Sequence, residues 1–182
     1  MEFSITDLDS GDEIAVQQTA GVLVAAFSGH PSWSHLDMAY KEVIRSLLPP
    51  GICRVAKSRN GTILGWIGAA PIYEGHVWEI NPLAVHPACQ KRGIGQALIS
   101  DIEKLARARG GLTLWVGADD EDNRTSLGGA DLYPHLLEKL AAIQDLGGHP
   151  FAFYRKLGFV LAGVLPDANG RGKPDIYLAK RL

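Results

Sequence analysis

The spacing of hydrophobic positions along the chain predicts an alternation of helices and strands. Apolar residues that recur three and four positions apart predict helices over Ile14–Phe27, Ser34–Leu48, Ile94–Arg109, Pro134–Ile143 and Phe151–Leu157. Alternating or β-branched runs predict strands over Phe3–Ile5, Ile52–Lys57, Thr62–Ile72, Val77–Val85, Leu112–Val116, Phe159–Leu165 and Ile176–Lys180. The resulting order, β-α-α-β-β-β-α-β-α-α-β-β, is typical of an α/β (α+β) fold in which helices flank a mixed, mostly antiparallel sheet.

Turn signals refine several of these boundaries. Asn60-Gly61 between two apolar runs predicts a tight hairpin, because this dipeptide tolerates the positive φ angles of such turns. The segment Ser28-Gly29-His30-Pro31 should end the first helix. Pro82 cannot donate to a strand ladder, so we expect a bulge or a strand end there. The predicted buried side of the second helix consists of Met38, Ile44, Leu47 and Leu48.

The segment Gln90–Gly95, which leads into the third helix, has the composition of an anion-binding turn. Gly93 and Gly95 let the backbone approach a ligand, and the N–H groups of a helix N-terminus favour negative charge. Lys91 and Arg92 add positive charge, so a pyrophosphate is the natural ligand. The pattern is neither a Walker A loop nor a Rossmann fingerprint, and a glycine-rich turn without any ligand is the alternative.

Composition narrows the class of protein. With 182 residues, 46% hydrophobic and 21% charged, the chain resembles a soluble protein of one domain, residues 1–182. The net charge of −2 gives no reason to expect nucleic acid or a membrane surface as a partner. The acidic N-terminus lacks the features of a signal peptide, so we expect a cytoplasmic protein. Cys53 and Cys89 lie far apart and the histidines lack metal-ligand spacing, so neither a disulfide nor a metal is expected.

Longer stretches of the sequence resemble a known family. Gln90-x-x-Gly93-x-Gly95, preceded by LAVHPACQ at 83–90, resembles the acetyl-CoA loop of the GCN5-related N-acetyltransferase (GNAT) superfamily. Within it, the chain is most similar to bacterial aminoglycoside 6'-N-acetyltransferases of the enterococcal chromosomal type. The segments that carry this likeness are WIGAAPIY (66–73), WEINPL (78–83), GADDEDNRTSL (117–127), DLYPH (131–135), HPFAFYRKLGF (149–159) and GVLPDANGRGKPDIYLAK (163–180).

The resemblance implies a GNAT fold whose central sheet is splayed at the acetyl-CoA site. It implies transfer of the acetyl group of acetyl-CoA to the 6'-amino group of an aminoglycoside by direct attack, which confers antibiotic resistance. It also implies a homodimer formed through the C-terminal region, Phe159–Leu182. The implied contacts with acetyl-CoA come from the central strand and the turn after it, namely Leu83, Ala84, Val85, Gln90, Lys91, Arg92, Gly93, Ile94 and Gly95.

Two residues are candidates for the proton steps of acetyl transfer. Glu79, just before the Asn81-Pro82 irregularity, can take a proton from a substrate ammonium directly or through water. An exposed strand glutamate or a structural ion pair is the alternative for Glu79. Asn81 stands where relatives often have histidine, and it can orient a water but cannot exchange protons. The resemblance places Tyr154 beside the acetyl-CoA sulfur, where a phenol can protonate or hydrogen-bond the departing thiolate, with core packing as the alternative.

Acidic and aromatic residues are candidates for substrate recognition. The segment Ala118–Leu132 is acidic and long for a connection in a compact domain. Several carboxylates in one cleft would attract a polyammonium substrate, although such a loop can also be merely solvated. Aromatic rings can frame sugar rings, and Phe27 stands roughly where the relatives have tryptophan. The candidate substrate contacts are Phe27, Trp33, Tyr73, Glu79, Asp119, Asp120 and Asp175.

Two other functions are compatible with the sequence. A GNAT acetyltransferase that acts on a polyamine, a small amine or a protein amine would use the same residues. A non-catalytic acyl-CoA-binding module would keep the glycine turn but release no thiol, and the presence of Glu79 and Tyr154 argues against it. Direct attack is favoured over an acetyl-enzyme on Cys89, because only His86 near that thiol could act as a base.

Overall fold

Antiparallel pairing of four strands organises the N-terminal part of the chain in the computed structural model, which describes residues 2–28, 33 and 35–182. The chain divides into two compact units, Met1–Leu112 and Thr113–Leu182. The strands of the first unit pair in the order β1-β2-β3-β4, each antiparallel to the next. Its elements are β1 (Phe3–Asp7), α1 (Glu13–Ala26), α2 (Leu36–Ser46), β2 (Ile52–Ser58), β3 (Ile63–Ile72), β4 (Val77–Val85) and α3 (Ile94–Ala108).

The hairpin between β2 and β3 has the turn predicted from the Asn60-Gly61 dipeptide. Gly61 has a φ of +88°, a backbone conformation that favours glycine. The N–H of Ser58 donates to the carbonyl oxygen of Thr62 at 2.9 Å and closes the loop. The predicted hairpin is therefore confirmed.

The pairing of β3 with β4 contains the irregularity predicted from Pro82. The register shifts between Ile67 and Ala69, opposite Asn81 and Pro82, while β4 continues through Val85. It is therefore a bulge rather than a strand end. A Cβ on Gly68 would lie 2.8 Å from the carbonyl oxygen of Asn81, so only glycine fits this close approach.

The core of the first unit forms where α1 packs on the sheet. Val16, Ala20 and Leu23 follow the helical repeat and are completely buried, in one cluster with Trp66 of β3. The side chain of Asp12 accepts a hydrogen bond from the N–H of Ala15 at 3.0 Å and caps the start of α1. Burial of this stripe fixes α1 on the sheet.

Helix α2 buries a different side from the one predicted. Ala39 and Val43 are fully buried, and Leu47 beyond the helix end is partly buried against the same cluster. Helix α2 packs on α1, where these smaller side chains allow close approach. The predicted buried residues that the structure instead exposes, by 48%, 37% and 61%, are Met38, Ile44 and Leu48.

The second unit is a three-stranded antiparallel sheet with two short helices. Its strands pair in the order β5-β7-β6, and Asp119 faces Asp175 at one end of the β5–β7 ladder. Phe159, Ile176 and Leu178 form part of its buried interior. The elements are β5 (Thr113–Asp119), α4 (Leu136–Ala141), α5 (Pro150–Lys156), β6 (Val160–Leu165) and β7 (Asp175–Arg181).

The order of helices and strands agrees with the prediction. The largest difference in bounds is at β5, which continues to Asp119, so Ala118 and Asp119 lie on a strand and not in the predicted loop. In the helix predicted over Pro134–Ile143, the apolar side chain of Leu137 is 71% exposed, because α4 has fewer than two turns. Residues 29–32 and 34, part of the predicted break and of the second helix, lie outside the described residues.

Within the described ranges, no helix is both long and apolar enough to cross a membrane. The single domain over residues 1–182, the homodimer, the splayed sheet and the cytoplasmic location stay predictions.

Candidate active site

The turn between β4 and α3 leads into a helix start whose first backbone N–H groups have no partner within the helix. The first hydrogen bond of α3 runs from the N–H of Ala97 to the carbonyl oxygen of Gly93 at 3.0 Å, so residues 93–96 donate to no helical carbonyl. Among the described residues, no side chain caps this end of α3. Gly93 has a φ of +83°, and a Cβ there would meet nothing within 4 Å. The helix start is therefore open to an anion.

Side chains around this turn suit the pyrophosphate predicted from the sequence. Lys91 and Arg92 are both exposed and place two positive charges beside the open helix start. The Nε2 of Gln90 donates to the carbonyl oxygen of Val85 at 3.2 Å and holds the turn against the end of β4. The two cationic side chains and the N–H donors of the helix start are therefore complementary to an anion such as a pyrophosphate.

The strand before this turn carries the predicted contacts with the extended arm of acetyl-CoA. Leu83, Ala84 and Val85 pair with β3 along one side of β4. In an antiparallel strand, the backbone groups that do not point to that neighbour point to the opposite edge. An extended ligand arm can hydrogen-bond such an edge in the way that an added strand does.

Glu79 lines a cleft of about 350 Å³ in the first unit. The cleft lies between the C-terminal half of α2 and the bulged region of β3 and β4. Glu79 is half-buried, pairs across the strands with Ala70 and shares one face of β4 with the exposed Asn81. The volume falls at the lower end of the range of small-molecule sites.

Two further charged residues, which were not predicted from the sequence, line this cleft. Glu42 and Arg45 of α2 form an ion pair in which an Arg45 nitrogen lies 2.7 Å from Oε1 of Glu42. The only sequence signal was their spacing of three on a helix, which is typical of ordinary surface pairs.

The three aromatic candidates differ in exposure. Tyr73 is 74% exposed at the start of the short 3₁₀ turn Tyr73–Gly75 that follows β3. Phe27 and Trp33 are partly buried and pack against the core cluster around α1. Tyr73 therefore has most of its ring surface open to a ligand, whereas the other two use part of theirs for packing.

Asp119 and Asp175 form a pair of neighbouring carboxyl groups in the second unit. They face each other across β5 and β7, and Asn169 donates a hydrogen bond to Oδ1 of Asp119. Within the described part of the chain, the buried Oδ1 of Asp175 has no hydrogen-bond partner. Burial and, secondarily, the charge of Asp119 raise the pKa of Asp175 to about 6. A cationic ligand would provide a partner for the buried Asp175 carboxylate and offset its repulsion by Asp119.

We expect Asp175→Asn to stabilise the protein more at neutral than at acidic pH. Because the pKa of Asp175 is higher in the folded than in the unfolded chain, the folded state binds the proton more tightly. The stability that this proton provides is present below pH 4 and is lost as pH rises through about 6. Thermal melting from pH 4.5 to 7.5 should therefore show the melting temperature of the variant rising relative to the wild type.

The variant Asp119→Asn provides the control for that measurement. Removal of the neighbouring charge should lower the pKa of Asp175 and move the pH dependence to lower pH. A difference between Asp175→Asn and the wild type that does not change with pH would contradict the buried, charge-coupled carboxyl.

Asp120, another predicted substrate contact, is buried and bonded within its own loop, unlike Asp119 and Asp175. It is 1% exposed, and its carboxylate accepts hydrogen bonds from the N–H of Arg124 at 2.7 Å and from the N–H and hydroxyl of Thr125 at 2.9 and 2.7 Å. The carboxylate thus organises the loop after β5 and has little surface left for a ligand. We therefore leave Asp120 out of the substrate contacts.

Tyr154 lies on α5 in an aromatic cluster. It is 6% exposed and makes edge-to-face contacts with Phe153 and Phe159, at ring-centroid distances of 5.2 and 5.3 Å. Burial raises the pKa of its phenol well above the ordinary value of 10. The group therefore stays protonated at physiological pH and can act only as a hydrogen-bond donor or a very weak acid.

The predicted site residues divide between the two units. In the first, Glu79 and the predicted acetyl-CoA contacts follow one another on β4, the turn and the start of α3. In the second, Asp119 and Asp175 are adjacent, while Tyr154 is on α5.

The geometry gives little support to a metal site or to an acetyl-enzyme on Cys89. Over the described residues, no group of three His, Cys, Asp or Glu side chains is arranged to hold a metal ion. Cys89 is buried at the end of the 3₁₀ turn Pro87–Cys89, and the Nδ1 of His86 accepts the N–H of Ala88 at 3.3 Å. That histidine nitrogen is thus already engaged by the backbone.

Comparison with known proteins places the chain in a family. The model of the acetyltransferase (GNAT) family matches residues 19–128. An aminoglycoside 6'-N-acetyltransferase in complex with coenzyme A is 37% identical with a TM-score of 0.91, and the enzyme of that name from Enterococcus faecium is 37% identical with a TM-score of 0.89. An aminoglycoside 6'-acetyltransferase type Ii is 31% identical with a TM-score of 0.76. Each alignment covers 98% of this chain and 96% of the other. Because the family model matches more than half of the chain and these relatives are aligned over nearly all of it, the chain belongs to the GNAT family of acetyltransferases.

Proposed function

We propose that this acetyltransferase transfers the acetyl group of acetyl-CoA to the 6'-amino group of aminoglycosides and thereby confers resistance to them. The observation that carries the proposal is the 37% identity, over 98% of the chain, to aminoglycoside 6'-N-acetyltransferases. The cleft beside Glu79 supports it, because a carboxylate there suits an ammonium substrate.

The proposed acetyl-CoA site uses the backbone of β4 and the turn after it. The backbone of Leu83–Val85 would hydrogen-bond the pantetheine arm and hold the thioester near Glu79. The N–H groups at the start of α3, with Lys91 and Arg92, would bind the pyrophosphate. The crystal structure of a relative with coenzyme A supports this cosubstrate.

Glu79 is the proposed base. An amine that is protonated in water must lose a proton before its nitrogen can attack the thioester carbonyl carbon. Glu79 accepts that proton, directly or through a water that Asn81 orients, as the C–N bond forms and the C–S bond breaks. Its negative charge also holds the substrate ammonium in the cleft beforehand. As further substrate contacts we propose Asp119 and Asp175 for the other ammonium groups. Tyr73, Phe27 and Trp33 are proposed to frame the sugar rings.

Tyr154 is proposed to stabilise the thiolate that leaves. The thiol that corresponds to the leaving thiolate has an ordinary pKa of about 8.5, well below the pKa of the buried Tyr154 phenol. Full proton transfer from Tyr154 to the thiolate is therefore unfavourable. Donation of a hydrogen bond lowers the barrier without that transfer.

Replacement of Tyr154 by Phe should lower kcat by about tenfold and leave the KM for the aminoglycoside unchanged. The ring contacts with Phe153 and Phe159 are retained, so the melting temperature should stay within a few degrees of the wild type. The pH profile of kcat should keep its shape below pH 9, because the phenol does not titrate there. An unchanged kcat would show that Tyr154 only packs.

The function is tested by acetyl-CoA-dependent thiol release with neomycin beside paromomycin, which has a 6'-hydroxyl in place of the 6'-amine. Brisk release with neomycin and little with paromomycin is the expected result. Equal release would place the reaction at another amine. No release with either would refute the proposal and favour a different amine acceptor.

A further inference from the structure

The cleft beside Glu79 contains a cation of its own. Two carboxylates, those of Glu42 and Glu79, line it together with one guanidinium, that of Arg45. The carboxylate of Glu42 is bonded to Arg45, and the side chain of Glu42 is only 10% exposed, whereas that of Arg45 is 67% exposed. The Glu42 carboxylate is therefore held in the cleft wall, while most of the Arg45 guanidinium is in solvent.

Backbone groups make the same region more negative. Helix α2 ends at Ser46 in the cleft wall, and the carbonyl end of a helix carries a partial negative charge. The carbonyl oxygens of Ser46, Leu48 and Ala69 lie 3.2, 3.1 and 3.5 Å from the position that a Cβ of Gly51 would occupy. These carbonyl oxygens add partial negative charge to this wall, although that of Leu48 already accepts the N–H of Gly51 at 3.1 Å.

Arg45 pairs with the carboxylate of Glu42 in the way that an ammonium group of a ligand would. Its guanidinium is a charged donor bonded to a carboxylate, and because most of the guanidinium lies in solvent, the ion pair is weaker than one in which both partners are buried. The long arginine side chain can rotate into solvent, where its charge is well hydrated. Exchange of this internal cation for a ligand ammonium is therefore inexpensive.

We propose that Glu42 is a second ammonium-binding carboxylate of the acceptor site, and that Arg45 is an internal competitor which a polyammonium acceptor displaces. The proposal rests on the proposed function in taking an aminoglycoside as the acceptor. Glu79 then handles the reacting amine, while Glu42 holds another ammonium of the same molecule. Arg45 keeps Glu42 paired when no acceptor is present and discriminates against acceptors with a single charge, which cannot replace it while bound at Glu79.

The test is equilibrium binding of neomycin by calorimetry to the full chain and three variants. We expect Arg45→Gln to lower the Kd roughly fivefold and Glu42→Gln to raise it roughly fivefold, which are effects typical of partly exposed charge pairs. In the double variant the gain from Arg45→Gln should vanish, because that gain requires the Glu42 carboxylate. All effects should shrink in 0.5 M salt.

A matched pair elsewhere in the first unit serves as control. Glu2 and Arg59 form an exposed ion pair with a nitrogen–oxygen distance of 2.5 Å, and neither lines the cleft. Arg59→Gln and Glu2→Gln change the net charge equally and should leave the Kd within twofold. Melting curves of all variants establish that each is folded.

Three results would overturn the inference. They are weaker binding by Arg45→Gln, the same gain from Arg45→Gln with and without Glu42, and no neomycin binding by any variant. Thiol release separates this inference from the proposed function. A protein that binds neomycin with the expected dependence on Glu42 and Arg45 but releases no thiol would refute only acetyl transfer. A protein that releases thiol although its variants bind alike would refute only the role of Glu42.

Discussion

Replacement of Glu79 by Gln is expected to lower kcat for neomycin by about 10² to 10⁴, the range that loss of a general base produces. Glutamine keeps the size of the side chain, so the cleft and the pairing with Ala70 across the strands should be unchanged. Without the Glu79 carboxylate the attacking amine loses its proposed base, since the other carboxylate of the cleft, that of Glu42, is paired with Arg45. The effect should appear in acetyl-CoA-dependent thiol release under saturating acetyl-CoA.

The control for this experiment is Glu74→Gln. Glu74 is exposed in the turn between β3 and β4, and its replacement removes the same charge without touching the cleft. It should leave kcat within twofold, and both variants should bind acetyl-CoA like the wild type. Full activity of Glu79→Gln would show that the ammonium loses its proton to solvent before it enters the site.

Replacement of Asp120 by Ala is expected to lower the free energy of unfolding by about 3 kcal/mol, because it leaves buried donors without a charged acceptor. Three donors, the N–H groups of Arg124 and Thr125 and the hydroxyl of Thr125, converge on this carboxylate. Urea denaturation of the full chain would measure the loss.

The matched control is Asp122→Ala, because Asp122 is an exposed acidic residue of the same loop. Its free energy of unfolding should stay within about 0.5 kcal/mol of the wild type. Asp120→Asn should give an intermediate loss, because the amide keeps one acceptor oxygen. If Asp120→Ala kept its stability but lost affinity for neomycin, Asp120 would be a substrate contact after all.

Local spacing predicted the order of the elements, because each stripe of apolar residues matches the repeat of one structure. The hairpin at Asn60-Gly61 and the bulge at Pro82 followed from backbone chemistry that acts within a few residues. The GNAT family followed from long segments that agree with relatives, and the comparisons confirm it.

Features that depend on partners distant in the sequence were not predictable in this way. Apolar spacing does not say which side of α2 meets α1, so the small Ala39 and Val43 were overlooked as its buried surface. Asp119 and Asp120 look equivalent in an acidic stretch. Their roles separate only because β5 ends at Asp119, which leaves the next carboxylate facing its own loop.

The backbone around Glu79 has consequences for how the acceptor range can change during evolution. Gly68 and Gly51 are hemmed in by carbonyl oxygens, so larger residues there would disturb the backbone. Ala70 is exposed, small and directly across from Glu79. A longer side chain at Ala70 can therefore arise at little cost in stability and alter which amines reach the Glu79 carboxylate.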